Sequence, residues 1–69
     1  MNDLDLRDLV LEELEVTPDI NAASIGVTVQ DGVVKLEGKV HLLREREVVE
    51  RAAWSVPGVS KVEDYLLIA

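Results

Sequence analysis

The stretch from Ile25 to Val40 constrains the fold most strongly, because two runs of β-branched residues flank the dipeptide Asp31-Gly32. This dipeptide tolerates the positive φ angles that a two-residue hairpin turn requires. A chain folded back at this turn places every second residue on one apolar face. The predicted cross-strand pairs on that face are Val29 with Val34, Val27 with Leu36, and Ile25 with Gly38.

A first helix is predicted from a cap at Asn2 or Asp3 to about Glu15, and Pro18 follows its end. Its buried residues are predicted from helical spacing. They are Leu6, Leu9, Val10 and Leu14, with Leu4 and Leu11 turned away from this stripe.

A second helix is predicted from His41 to Val56, before the stop signal Pro57-Gly58. No Ser, Thr, Asp or Asn stands between Val40 and Glu45, so the start of this helix lacks a conventional cap. Its predicted buried stripe consists of Val49, Ala52, Ala53 and Val56. A missing side chain at Gly38 is expected to let a helix backbone approach the sheet.

The third strand is predicted from Val59 to Ile68, with Val62, Leu66 and Ile68 facing the core. A strand that follows a helix within one sheet runs parallel to the strand before that helix. The sequence therefore predicts one α+β domain over residues 1–69 with the order αββαβ. Two helices pack on one face of a three-stranded mixed sheet of order 1-2-3, with strand 2 central.

Composition excludes several classes of protein. The chain has 69 residues, a net charge of −7 and no cysteine, so thiol chemistry is absent and binding to nucleic acid by simple attraction is disfavoured. A KH-like RNA-binding domain shares the αββα start, but it needs a GXXG loop and positive charge, and the sequence has neither.

Location is predicted from the absence of targeting signals. No apolar run is long enough to span a bilayer, and the N-terminus lacks the layout of a signal peptide. The sequence as written therefore predicts a cytoplasmic protein. A domain cut from a longer exported protein would instead be periplasmic.

The spacing G-x-V-x-L-x-G-x-V from Gly32 to Val40, followed by V-P-G-V-x-x-V from Val56 to Val62, resembles the BON domain of bacterial OsmY and nodulation proteins. The similarity covers nearly the whole chain. It departs from the family at Leu42, where a capping Ser or Thr is common, and at Asp64, where Asn is common. The resemblance implies a non-enzymatic binding module of envelope or stress-related proteins, associated with phospholipid or partner proteins.

Apolar residues outside the predicted core are the candidate binding surface. These are Trp54 and Leu43 on the second helix, and Leu4 and Leu11 on the first. A structural alternative is that Trp54 covers a gap between the helices. A second candidate surface, for self-association, consists of Tyr65, Leu67 and Val33 on the polar side of the sheet.

Catalytic and metal sites are not indicated. His41 is the only histidine and has no cysteine to share a metal with, and the acids of the first helix lack the spacing of a calcium loop. The sequence thus predicts no enzyme, no metal and no cofactor. The leading hypothesis is a module that binds a phospholipid membrane or a partner protein; the alternative is a self-assembling or regulatory interaction domain without lipid binding.

Overall fold

The hairpin forms with the predicted register in the computed structural model, which describes residues 2–69. Strands β1 (Ile25–Gln30) and β2 (Val33–Val40) are antiparallel. The turn between them has positive φ angles of 53° at Asp31 and 80° at Gly32. The turn chemistry and the alternation of apolar residues therefore determine which side chains face the core.

The remaining elements complete the predicted αββαβ arrangement. Helix α1 (Asp3–Val16) precedes the hairpin, and a short 3₁₀ turn (Ala22–Ser24) leads into β1. Helix α2 (Leu43–Trp54) follows β2, and strand β3 (Lys61–Ile68) runs parallel to β2. The sheet order is β1-β2-β3, so the predicted fold class and strand order are confirmed.

The core lies between the two helices and the inner face of the sheet. Its residues come from all five regular elements and from the loop before β3, and none of them is polar or charged. They are Leu6, Val10, Leu14, Ile25, Val27, Val34, Leu36, Val40, Val49, Ala52, Ala53, Val56 and Leu66.

The rotation of α1 differs from the prediction at two leucines. Leu9, expected in the buried stripe, lies at the surface, and Leu11, expected to face outward, is half-buried against the core. Arg7 shows the cause, since its Nε donates a hydrogen bond of 2.9 Å to the carbonyl of Val27 on β1. The side of α1 that carries Arg7 and Leu11 is therefore turned toward β1, which moves Leu9 away from the core.

The start of α2 also differs from the prediction. The helix begins at Leu43 instead of His41 and ends at Trp54 instead of Val56. The carboxylate of Glu45 accepts hydrogen bonds from the backbone N–H groups of His41 and Leu42, at 2.9 and 2.8 Å. A side chain inside the first turn thus supplies the cap that the preceding residues lack.

Strand β3 begins two residues later than predicted, and its last residue is not buried. Ile68 has the predicted inward phase, but 48% of its surface is exposed. It pairs with Val40, and α2 begins only three residues after Val40. Ile68 therefore lies at the end of the sheet where β2 and β3 finish and α2 begins.

Gly38 has a structural role, although not the predicted one. Its φ angle is +126°, and the carbonyl of Ser24 approaches the position that a Cβ atom would occupy. The close approach comes from the segment that enters β1, and not from the helix that follows the hairpin. A residue with a side chain at this position would clash with that carbonyl.

Candidate interaction surfaces

The two predicted binding residues of α2 lie on its outward face. Trp54 is 49% exposed and Leu43 is 56% exposed. They are separated by eleven positions, which corresponds to about 16 Å along a helix. Glu47 and Glu50 stand on the same side of the helix between them. A charged stretch therefore separates the two apolar residues.

The two predicted binding residues of α1 do not join them in one patch. Leu4 is exposed, whereas Leu11 packs against the core. Leu4 lies near the hairpin turn, because the neighbouring Asp3 accepts a hydrogen bond of 3.1 Å from the N–H of Asp31. Trp54 ends α2 at the same end of the molecule, whereas Leu43 begins α2 at the opposite end. The four residues are thus divided between two ends of the domain and its core.

The end of the molecule opposite the hairpin turn displays an apolar surface of which the sequence prediction named only Leu43. Three exposed side chains form this apolar tip: Leu42, Leu43 and Ile68. Parallel β2 and β3 finish side by side, with Val40 next to Ile68, and α2 starts just beyond β2. Neighbouring parallel strands end at the same edge of a sheet. This rule, applied to the sequence, would have predicted that the three residues lie close together.

The outer face of the sheet is covered by neither helix. Tyr65 and Leu67 are exposed on it, as predicted for the self-association surface, and Val33 is half-buried beside Lys61. Lys35 forms an ion pair of 2.8 Å with Glu37, and its Nζ lies 5.3 Å from the centroid of the Tyr65 ring. The hydrogen bond and charge of Glu37 raise the pKa of Lys35 above its ordinary value of 10.5.

Arg7 protects the free edge of β1. In a hairpin with a two-residue loop, the residues that flank the loop, Gln30 and Val33, exchange hydrogen bonds, and every second pair after them does the same. Val27 belongs to one of the intervening pairs, so its carbonyl points away from β2. The guanidinium of Arg7 donates a hydrogen bond to that carbonyl. A second strand that approached the free edge of β1 would therefore find the central carbonyl acceptor already in use.

Asp64 protects the free edge of β3 in a similar way. Its side chain points inward and is only 9% exposed. One carboxylate oxygen accepts a hydrogen bond of 2.9 Å from the N–H of Leu66, and the other accepts one of 3.0 Å from Nε of Arg46. The buried charge is thus neutralised, and one outward backbone group of the edge strand is satisfied internally.

Potential metal-ligating side chains are scattered over the part of the chain that the structure describes. Within residues 2–69, no three His, Asp or Glu side chains lie close enough together to hold a metal ion. His41 is exposed, with Nδ1 3.2 Å from the carbonyl oxygen of Ala69. None of the helices described in residues 2–69 is long and apolar enough to cross a membrane.

Comparison with known proteins agrees with this architecture. No curated protein matches the chain in sequence. Among solved structures, the C-terminal domain of CdsD, a structural protein of the type III secretion system of Chlamydia trachomatis, matches with a TM-score of 0.81 and 13% identity. The match covers all of this chain and 34% of the solved CdsD chain, so this chain spans about a third of that solved chain's length. At this identity the similarity concerns the fold.

The family is shown by a sequence comparison that covers almost every residue. The model of the BON domain matches residues 2–69. This range includes the hairpin motif from Gly32 to Val40 and the loop from Val56 to Val62, which carry the resemblance. The chain therefore belongs to the BON domain family.

Proposed function

We propose that this chain is a non-enzymatic docking module that binds a partner protein through the apolar tip of Leu42, Leu43 and Ile68. The observation that carries this proposal is the exposure of three large apolar side chains from two separate elements at one end of the domain. Burying the exposed half of one such side chain contributes about 1 kcal/mol. Three together supply a useful anchor for a binding partner.

The fold similarity supports a protein as the partner. CdsD is described as a structural protein of a secretion system, and the matched part of its C-terminal domain has this fold. The net charge of −7 also opposes attraction to an anionic lipid surface. We propose the same docking for the chain in the cytoplasm or, within a longer exported protein, in the periplasm.

Photo-crosslinking in cells tests the proposal directly. A photo-reactive amino acid at Leu42 is expected to give a discrete crosslinked protein, which disappears when Ile68→Asp is added. The same probe at Glu47, an exposed position on the outward side of α2, serves as the matched control. Identical products at both positions, or products at Leu42 that survive Ile68→Asp, would contradict docking at the tip.

Membrane docking through the same tip is the second candidate function. It is favoured by two exposed basic residues around the tip, Lys39 and Arg44, although the carboxylate of Glu45 also lies there. A tip with apolar and basic groups is typical of peripheral membrane contacts. Vesicle flotation separates the candidates: a protein-binding tip leaves the chain unbound to zwitterionic and anionic vesicles.

The flotation experiment includes two variants that distinguish the surfaces. If Leu43→Asp abolishes flotation and Trp54→Ala preserves it, the tip binds a membrane and not a protein partner. If only Trp54→Ala abolishes flotation, the contact lies at the opposite end of α2, where Trp54 and Leu4 of the predicted surface are found. Both variants change exposed residues, so circular dichroism is expected to show an intact fold.

A further inference from the structure

The negative charge of the molecule is concentrated on one helix. Helix α1 contains six acids and one base, a net charge of −5 out of the total of −7, whereas α2 is neutral. Four of these acids recur at spacings of three and four positions along the exposed side of α1. This acidic stripe consists of Asp5, Asp8, Glu12 and Glu15.

The acidic stripe takes part in no ion pair within residues 2–69. The ion pairs found within residues 2–69 are Lys35 with Glu37 and Arg46 with Asp64, and neither involves α1. Helix α1 has no basic residue in its last turn, and acids near a helix C-terminus oppose the helix dipole. A positively charged surface placed against this side of α1 would supply partners for the unpaired acids and would offset the unfavourable interaction of Glu12 and Glu15 with the helix dipole.

The outer face of the sheet supplies such a surface. All three lysines of the chain, Lys35, Lys39 and Lys61, are exposed on it. The outward residues of the strands themselves, with Glu37 and Glu63 included, have a net charge of +1, and the exposed Asp31 of the turn borders the same face near Lys61. Lys39 and Lys61 take part in neither of the two ion pairs. All three lysines of the chain therefore lie on the sheet face that no helix covers.

The two surfaces also agree in length and pattern. Lys61 lies beside Val33, so the lysines extend over positions 33–39 of β2, about 20 Å at the rise of a strand. The acidic stripe spans about 15 Å at the rise of a helix. Each row of charges has an apolar residue near both ends: Leu4 and Val16 on α1, and Val33 and Leu67 on the sheet.

We propose that copies of this chain stack head to tail, with the acidic stripe of α1 in one copy lying on the outer sheet face of the next. The protected strand edges support contact through this face and not through edge pairing. Because the two surfaces of each contact differ, the assembly continues as a ring or filament instead of closing as a dimer. The apolar tip is not part of this contact, so the inference is independent of the proposed function.

The size of the contact predicts weak association. A helix of 14 residues is about 21 Å long and about 10 Å wide, so each partner buries less than the roughly 800 Å² of a stable interface. Sedimentation of the wild-type protein is therefore expected to show a mass that increases as its concentration approaches about 1 mM. Raising the salt from about 0.1 M to about 1 M, which shortens the Debye length from about 10 Å to about 3 Å, should return the monomer.

Charge reversal on each surface tests the arrangement. A helix variant, Asp8→Lys with Glu12→Lys, and a sheet variant, Lys39→Glu with Lys61→Glu, are each expected to remain monomeric. A mixture of the two restores complementary contacts in both directions and should recover the wild-type mass distribution. An isologous sheet-to-sheet dimer would instead persist in the helix variant.

A matched control separates the contact from the overall charge. Glu47→Lys with Glu50→Lys changes the net charge as much as the helix variant does, but on the outward side of α2, and should associate at least as well as wild type. Leu42→Asp should also leave association unchanged. A wild-type chain that stays monomeric at about 1 mM, association that ignores salt, or a mixture that stays monomeric would overturn the proposal.

Discussion

The two faces of the same sheet differ in what determines their residues. On the inner face, Val34 and Leu36 are fully buried, and the one charged side chain in that phase, Asp64, is paired and hydrogen-bonded. On the outer face, Lys35 and Tyr65 contact each other but remain open to solvent. The inner residues are therefore constrained by the packing of the core, whereas the outer residues are not constrained in this way.

Leu36→Ala on the inner face should have the largest effect on stability. The change removes buried carbon atoms from the centre of the core and leaves a cavity, which costs about 2–5 kcal/mol of the free energy of unfolding. Urea denaturation monitored by Trp54 fluorescence measures this loss. Tyr65→Ala on the outer face is the control, with an expected change of about 0.5 kcal/mol or less; equal losses at both positions would contradict the difference between the faces.

Asp64→Ala should have the second largest effect, about 1–3 kcal/mol, because it removes the partner of Arg46 and leaves the N–H of Leu66 without an acceptor. Asp64→Asn keeps an oxygen that can accept from that N–H. Chemical denaturation of both variants should therefore find Asn less destabilising than Ala. The same loss in both would assign the whole effect to the charge of Asp64.

Glu45→Ala should cost about 1 kcal/mol, since the carboxylate accepts from two backbone N–H groups at the start of α2. Hydrogen exchange at the amides of His41 and Leu42 is expected to accelerate in this variant. Glu47→Ala, on the exposed side of the same helix, makes no such bonds and is the control. Unchanged exchange in Glu45→Ala would show that water replaces the cap without cost.

Glu37→Gln on the outer face should have the smallest effect. In the folded protein Glu37 raises the pKa of Lys35 above 10.5, so this pair favours folding below that pH and loses its contribution as the pH rises through the folded-state pKa. The variant should lower the pKa of Lys35 toward 10.5, as an NMR titration of the Lys35 side chain would show. A pKa that does not move would exclude Glu37 as the cause.

The sequence was sufficient to predict the inner face. The turn at Asp31 and Gly32 and the alternation around it determine the register, and the BON motif on the same residues was confirmed by the family comparison. These features are local, so the chain carries them without reference to the other elements. The rule for a strand–helix–strand connection correctly predicted that β3 runs parallel to β2.

The docking of α1 was not predictable from spacing. Leucines occur on several sides of this helix, and the contact of Arg7 with Val27 selects Leu11 instead of Leu9 for the core. The apolar tip as a whole was missed for a similar reason. Its residues are 25 positions apart, at Leu43 and Ile68, and they meet only because β3 ends where α2 begins.

Strand β2 lies between β1, which is close to it in the sequence, and β3, which is far from it, and this difference affects the order of folding. Pairing with β1 closes a loop of two residues, whereas pairing with β3 joins positions separated by 28 residues, such as Val34 and Val62. The entropy lost on closing a loop rises with its length, so the hairpin has an early advantage over the parallel pair. During synthesis the last residue of β2, Val40, leaves the ribosome 28 residues before Ile68, so β2 is free to pair with β1 while its third strand is still being made.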